Sequence, residues 1–374
     1  MFFQNLKLGG GSLVRNFLAT RWGIIAVGGF IGVLASLLQL WGNPANMGIC
    51  VACFERDIAG ALGMHRAAVV QYMRLEIIGF VLGSFGAAYL FKEFKSRLGS
   101  APIVRFILGV FAMIGALIFL GCPWRALLRL AGGDLNAILG LAGLAAGIWI
   151  GTIFLKNGYN LGRTHKTHTA AGWIMPLTML GFLIIMLFNP QISGENQSGL
   201  LFYSIEGPGS MHAPLIISLI VGLVIGFFAQ KSRFCTMGAI RDLILFKQTH
   251  LFGGLVALVI TAFLTNLVLG QFNAGFVGQP VAHNLHIWNF AGMGLAGLAF
   301  TLGGGCPGRQ LFLSGEGDGD ASIFVIGMIV GAAIAHNFGL ASSPSGVTSA
   351  GIGALAVGLV VCVLIGLTMK EKIA

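Results

Sequence analysis

Ten stretches of mostly apolar residues recur along the chain, roughly at 22–41, 69–91, 102–121, 135–155, 172–189, 213–230, 251–271, 287–305, 321–341 and 349–369. Each is close to the length of about 20 residues that carries a helix across a bilayer. Inside hydrocarbon a chain must satisfy its own backbone hydrogen bonds, which leaves helices for segments of this length. The fold class is therefore all-α and integral to the membrane. Composition agrees: 9% of the residues are charged and 56% hydrophobic, whereas soluble domains run near 25% charged. The formal charge of +10 does not call for nucleic acid, because membrane proteins gather Lys and Arg in their cytoplasmic loops. The first stretch is full length and lacks a small-residue cleavage site, so it reads as a retained helix and not as a signal peptide.

With the N-terminus in the cytoplasm, Lys7, Arg15 and Arg21 lie inside, as do the loops after the second, fourth and sixth spans. Those loops carry Lys92, Lys95 and Arg97, then Lys156, Arg163 and Lys166, then Lys231, Arg233, Arg241 and Lys247. Lys370 and Lys372 are inside too, and the loop around Glu195 and Glu206 falls outside. Counting Arg105 and Arg309 as inside, 17 basic residues are cytoplasmic and 5 are not. The chain is thus expected in a bacterial-type cytoplasmic (inner) membrane, multi-pass, with both termini in the cytoplasm. The five exceptions, Arg56, Arg66, Arg74, Arg125 and Arg129, cluster just after cysteine-bearing segments.

Those cysteines mark an internal repeat. Cys50 is followed six residues later by Arg56-Asp57, and Cys235 six residues later by Arg241-Asp242. Cys122-Pro123-Trp124-Arg125 aligns without a gap to Cys306-Pro307-Gly308-Arg309, and seven of sixteen positions from each cysteine are identical. The first-to-second spacing is 72 in one half and 71 in the other. The boundaries are 1–171 for the first repeat and 172–374 for the second, with the fifth helix as connector. Five spans per half is an odd number, which places the halves in opposite orientations, the inverted plan of many secondary transporters. Cys50 and Cys122 would approach from outside, Cys235 and Cys306 from the cytoplasm. The segments 47–63 and 234–247 are too short and polar to span, and read as re-entrant or interfacial.

In Gly121-Cys122-Pro123 and Gly303-Gly304-Gly305-Cys306-Pro307, glycine permits a tight reversal and proline suits the first turn of a helix. Each cysteine then sits at a helix N-terminus, where free amides and the macrodipole favour a thiolate or a bound anion. Arg125 and Arg309 follow one turn on. An arginine at membrane depth costs about 2.5–3.5 kcal/mol even on insertion scales. Arg56, Arg125, Arg241 and Arg309 accordingly need carboxylate partners, with Asp57 and Asp242 the nearest in sequence, or an anionic substrate. The bland alternative makes Arg56–Asp57 and Arg241–Asp242 capping ion pairs and the cysteines small packed residues.

Other signals are weaker. Cys50-Val51-Ala52-Cys53 has metal or redox spacing, but no second such pair exists, so neither a metal nor a cofactor is expected. Cys53, with Arg56 one turn on, would share the entry site or act as a resolving thiol. Cys362 in the last span reads as packing, His165/His168 and His283/His286 as solvated loop residues, and His336 as a helix–helix hydrogen bond. Gly79/Gly83, Gly143/Gly147 and Gly222/Gly226 have the spacing of close-packing faces. Glu316, Asp318 and Asp320 read as an acidic cytoplasmic lip.

Gly48-Ile49-Cys50-Val51-Ala52-Cys53, Arg56-Asp57, Gly121-Cys122-Pro123, Ser232-Arg233-Phe234-Cys235, Arg241-Asp242 and Gly304-Gly305-Cys306-Pro307 together resemble the YeeE/YedE family of sulfur-compound membrane transporters, over about 22–369. The similarity is greatest to its YedE-type putative selenium transporter branch, related to thiosulfate transporters. That resemblance implies a compact helical transporter for thiosulfate or a related species, with a substrate path at Cys50, Cys122 and Cys306, to which the repeat adds Cys235. It also implies a small cytoplasmic sulfurtransferase-type carrier as partner. The apolar Ala116-Leu117-Ile118-Phe119-Leu120 departs from the glycine- and arginine-rich approach common in relatives, and would make the outer path less basic. Two other functions compete with import of a sulfur or selenium anion: a membrane thiol–disulfide enzyme using Cys50/Cys53, and a membrane anchor for a soluble sulfurtransferase.

Overall fold

The computed structural model describes residues 17–370 except residue 193; Lys7, Arg15 and Lys372 of the charge argument lie outside the described residues. The described chain is helical apart from two ladders of two-residue strands. Ten long helices alternate with four short ones. The first half holds α1 (Arg21–Leu40), short α2 (Val51–Ala61), α3 (Leu75–Leu90), α4 (Pro102–Phe119), short α5 (Pro123–Ala131), α6 (Asn136–Lys156) and α7 (Thr169–Phe188). The second holds α8 (Leu215–Ser232), short α9 (Thr236–Phe246), α10 (His250–Val268), α11 (His286–Gly303), short α12 (Pro307–Gly315), α13 (Gly319–Asn337) and α14 (Ser349–Thr368). Nine of the long helices are apolar and long enough to cross a membrane, and the protein is a multi-pass membrane protein. The tenth, α3, has 16 residues. It starts at Leu75 rather than near 69 because Arg74, with extended backbone, turns its guanidinium onto Asp57 at 2.8 Å instead of continuing the helix.

Packing follows the sequence repeat. α3 lies against α8 and α1 against α10; α6 lies against α11 and α4 against α13; α4 and α11 meet each other at the centre. Each of these pairings becomes its counterpart when the halves are exchanged. The loops do the same: Arg97 bridges to Asp318, and Gly275 to Asp134, the repeat mate of Asp318. Small residues make the contacts close. A Cβ at Gly79 would lie 2.7 Å from the Gly222 backbone, and Gly226 abuts the Phe80 carbonyl. Gly143 and Gly147 meet α11 at Phe290 and Gly294, so all three small-residue pairs are packing faces as expected.

Candidate functional site

Each of the four repeated cysteines is the N-cap of a short helix: Cys50 of α2, Cys122 of α5, Cys235 of α9 and Cys306 of α12. Cys50 Sγ accepts the Cys53 N–H at 3.3 Å and Cys235 Sγ the Gly238 N–H at 3.2 Å. These are cap bonds in which sulfur replaces the usual oxygen. Cys122 and Cys306 make no such cap bond and are followed by Pro123 and Pro307, which have no N–H to leave unpaired at the first position of the helix.

The backbone reversal before α12 falls within Gly303-Gly304-Gly305 as expected, whereas the one before α5 differs from the expectation built on Gly121. The left-handed residue is two before each cysteine: Leu120 at φ 63° and Gly304 at φ 84°. Glycine adopts that conformation freely, whereas leucine does so at a cost. Gly121 is required for another reason, since a Cβ there would lie 3.0 Å from the Arg125 side chain. The Leu120 carbonyl accepts a hydrogen bond from Arg125 Nη1 and lies 4.0 Å from Cys53 Sγ.

The short helices bring the thiols together two by two. Cys235 and Cys306 have their sulfurs 3.7 Å apart. Cys50 and Cys122 are near enough to share a hydrogen bond, with Cys53 beside them. Cys53 Sγ is 3.9 Å from Arg125 Nη1. All six cysteines are free and buried; Cys362, on α14, joins neither pair.

The arginines fall into two classes. Arg56 reaches Asp57 at 2.7 Å, Arg241 reaches Asp242 at 2.8 Å, and Arg309 reaches Glu316 at 3.2 Å. Arg129 reaches Asp134 at 2.6 Å. Arg125 is fully buried and, among the described residues, has no carboxylate in ion-pair range. Its guanidinium donates instead to the carbonyls of Asn46 (3.2 Å), Leu120, Pro280 (3.2 Å) and Val281 (3.1 Å). Carbonyls orient a guanidinium without neutralising it, so Arg125 brings a net positive charge to the first thiol cluster.

Several expectations need correction. Glu316, Asp318 and Asp320 are not an open acidic lip. Glu316 takes Arg309, Asp318 takes Arg97 at 2.7 Å and caps α13, and Asp320 accepts the amides of Gly99 and Ser100. His283 is not solvated: its Nε2 lies 2.8 Å from the Ile118 carbonyl, and burial holds its pKa below the ordinary value. His168 caps α7, while His165 is exposed in a strand. His336 makes no hydrogen bond through Nε2 and stacks on His65 with ring centres 4.6 Å apart.

The surroundings of four residues escaped the sequence reading. Arg74 completes a buried triad with Arg56 and Asp57, and its remaining nitrogens donate to Pro208 and Met211. Arg129 with Asp134 forms a second buried pair; the repeat contains the aspartate, as Asp318, but puts Leu313 at the arginine position. Glu55 is fully buried with both carboxyl oxygens unpartnered; its mate is Ile240, so the repeat gave no signal. Trp124, whose mate is Gly308, is fully buried with an unpartnered Nε1.

A cavity of about 400 Å³ is lined by Lys92, Lys95, Arg97, Arg233, two residues before Cys235, and Arg309, three after Cys306, against Glu93 and Glu316. A cavity of about 790 Å³ between α7 and α8 is mostly apolar and contains none of the cysteines. Among the described residues no group of His, Cys, Asp and Glu side chains is arranged to hold a metal ion.

Residues 231–369 match the family model described as Sulphur transport. Among curated proteins, the chain is 29% identical over 108 residues to the thiosulfate transporter TsuA of Escherichia coli (strain K12), covering 29% of this chain and 30% of that one. It is 33% identical over 104 residues to TsuA of Spirochaeta thermophila, covering 26% of this chain and 29% of that one. The matched stretches thus span about 30% of the length of each relative. They support the resemblance carried by the cysteine motifs, and nothing in them singles out the selenium branch.

Proposed function

We propose that this chain, whose second half belongs to the sulphur-transport (YeeE/YedE) family, imports a small sulfur- or selenium-containing anion past its four N-capping cysteines. The observation that carries the reading is the construction of the site. Two thiol pairs stand at converging helix N-termini, with an arginine one turn beyond Cys122 and another beyond Cys306. Free amides and the helix dipole favour negative charge, and Arg125 supplies a charge that no carboxylate cancels. The sulfur or selenium of such an anion is soft and polarizable, so thiol sulfur solvates it better than a hydroxyl does. Weak S–H donors hold it loosely enough to release it to the next pair, as movement through successive sites requires.

Substrate enters at Cys50 and Cys122, with Cys53 and Arg125 beside them, and leaves from Cys235 and Cys306. The basic cavity at Lys92, Lys95, Arg233 and Arg309 then draws it toward the cytoplasm. Arg56–Asp57 and Arg241–Asp242 hold α2 and α9 in place. The thiols act by hydrogen bonding and form no bond to the substrate. Both termini lie in the cytoplasm of an inner membrane, the halves are inverted, and a sulfurtransferase-type carrier receives the product on that side.

Uptake into proteoliposomes, tried with thiosulfate, selenite, sulfite and sulfide, tests the reading and ranks the substrates. Uptake of none of them removes it. A membrane-impermeant thiol reagent tests the inversion: Cys50 and Cys122 should react from one side and Cys235 and Cys306 from the other. Reaction of all four from one side rejects it. The 3.7 Å Cys235–Cys306 contact favours one alternative, a dithiol that gives two electrons and two protons to a quinone as it closes to a disulfide. Quinone reduction by the purified protein, with loss of two thiols, would establish that reading instead.

A further inference from the structure

The two thiol pairs are joined by one side chain. Trp124 stands in the first turn of α5, two residues after Cys122. Its indole packs on Gly308, in the first turn of α12 two residues after Cys306: a Cβ on Gly308 would lie 3.2 Å from Cζ2, 3.3 Å from Cε2 and 3.6 Å from Nε1. Phe234, which precedes Cys235, meets the same indole edge-on at 5.6 Å, and Phe80 and Phe312 complete the surround at 5.9 and 6.1 Å. Trp124 and Gly308 occupy equivalent repeat positions, so the indole sits where the halves meet and fills space that glycine leaves on the other side.

Trp124 is 1% exposed, yet its Nε1–H has no hydrogen-bond partner. Buried indole N–H groups normally find an acceptor, and leaving one unpaired costs free energy. The rest of the ring is held by aromatic faces, so the donor is fixed in direction. It lies against the start of α12, where Pro307 has no N–H and the Gly308 amide, at the second position, has no partner within the helix.

We propose that Trp124 Nε1, with the Gly308 amide of α12, forms an intermediate subsite for an anion with a soft sulfur or selenium centre, between the Cys50/Cys122 and Cys235/Cys306 pairs. The subsite rests on the transport reading for its purpose but not for its existence. The anion accepts the indole N–H as it leaves the first pair, and the aromatic walls favour a soft, polarizable sulfur or selenium end over the hard oxygens of sulfate. Trp124 is thereby a specificity-determining residue: it admits ions that present a polarizable end.

Binding is read in detergent, with no membrane or flux, by quenching of tryptophan fluorescence with iodide in wild type and Trp124→Phe, each with and without thiosulfate. The wild type should show a saturable component that thiosulfate displaces and sulfate does not, and Trp124→Phe should lack it. In proteoliposomes the same variant, still folded, should take up thiosulfate about tenfold more slowly, the scale of one lost hydrogen bond to an anion. Absence of the saturable component in wild type overturns the subsite, as does slower uptake by Trp124→Phe with the component intact. A saturable component in a protein that transports nothing leaves the subsite standing and removes the transport reading. Should Trp124→Phe fail to fold, Gly308→Ala serves in its place. Its methyl group meets the indole edge and should weaken the same component, and unchanged quenching there also overturns the subsite.

Discussion

α2 and α9 begin from the same motif, a cysteine N-cap with Arg-Asp six residues on, and end in different surroundings. Every residue of α2 is buried, including Glu55, Arg56 and Asp57. In α9 only Thr236 to Ala239 are buried, and Arg241 and Asp242 are 33% and 20% exposed. The difference comes from what covers them. Residues 194–214, between the halves, fold over the α2 side, where Met211 and Pro208 take Arg74, Ser204 takes the Gln71 amide at 2.8 Å, and His212 stacks on Tyr72. A connection between two repeats occurs once, so it can enclose one end and not its counterpart. Repetition therefore duplicates the thiol pairs, while the charge around them is set separately: Arg125 uncancelled at the first, Arg309 matched by Glu316 at the second.

The comparison breaks most visibly at the thiols. Cys122→Ala and Cys306→Ala should each abolish proteoliposome uptake with the unfolding temperature unchanged, whereas Cys122→Ser should keep a small fraction because a hydroxyl still donates. A persistent persulfide mass on Cys122 or Cys306, lost with transport in the serine variant, would show a covalent relay instead. The arginines should differ next. Arg125→Met should slow uptake about 100-fold, the scale of removing a buried hydrogen-bonded charge. Arg309→Met should cost about tenfold or less, because Lys92, Lys95 and Arg233 line the same cavity. Equal losses at the two would erase the electrostatic distinction between the clusters.

Stability separates α2 from α9. Asp57→Asn leaves two buried arginines unpaired and should destabilise by about 3–5 kcal/mol. Asp242→Asn breaks a part-exposed pair and should cost below about 1 kcal/mol. Denaturant unfolding in detergent measures both, and similar values would mean that the covering loop does not govern the difference. The smallest effect belongs to Cys362→Ala, which should transport like wild type; a transport defect there would put α14 on the path.

The caps at Cys122 and Cys306 were legible because Cys-Pro couples sequence to backbone locally, a cap followed by a first-turn proline; those at Cys50 and Cys235, with no proline after them, were not. The ten long helices were legible from apolar length, although α3 begins later than its hydropathy suggested. The ion-pair partners were not, since Asp57 and Arg74 are 17 residues apart and the carbonyls around Arg125 come from Asn46, Leu120, Pro280 and Val281. Likewise Glu316, Asp318 and Asp320 looked like a free acidic run, because their partners lie on a distant loop and the next turn.

From the amino-acid order alone came the membrane class, the repeat and the placement of Cys122 and Cys306 at helix N-termini, all of which depend on neighbours within a turn or on composition over about twenty residues. Folding in three dimensions added which thiols face each other, which arginine goes without a carboxylate, and that Trp124 fills the space left by Gly308. Those depend on contacts between halves whose sequences are similar but whose coverings are not, and distance along the chain carries no record of them.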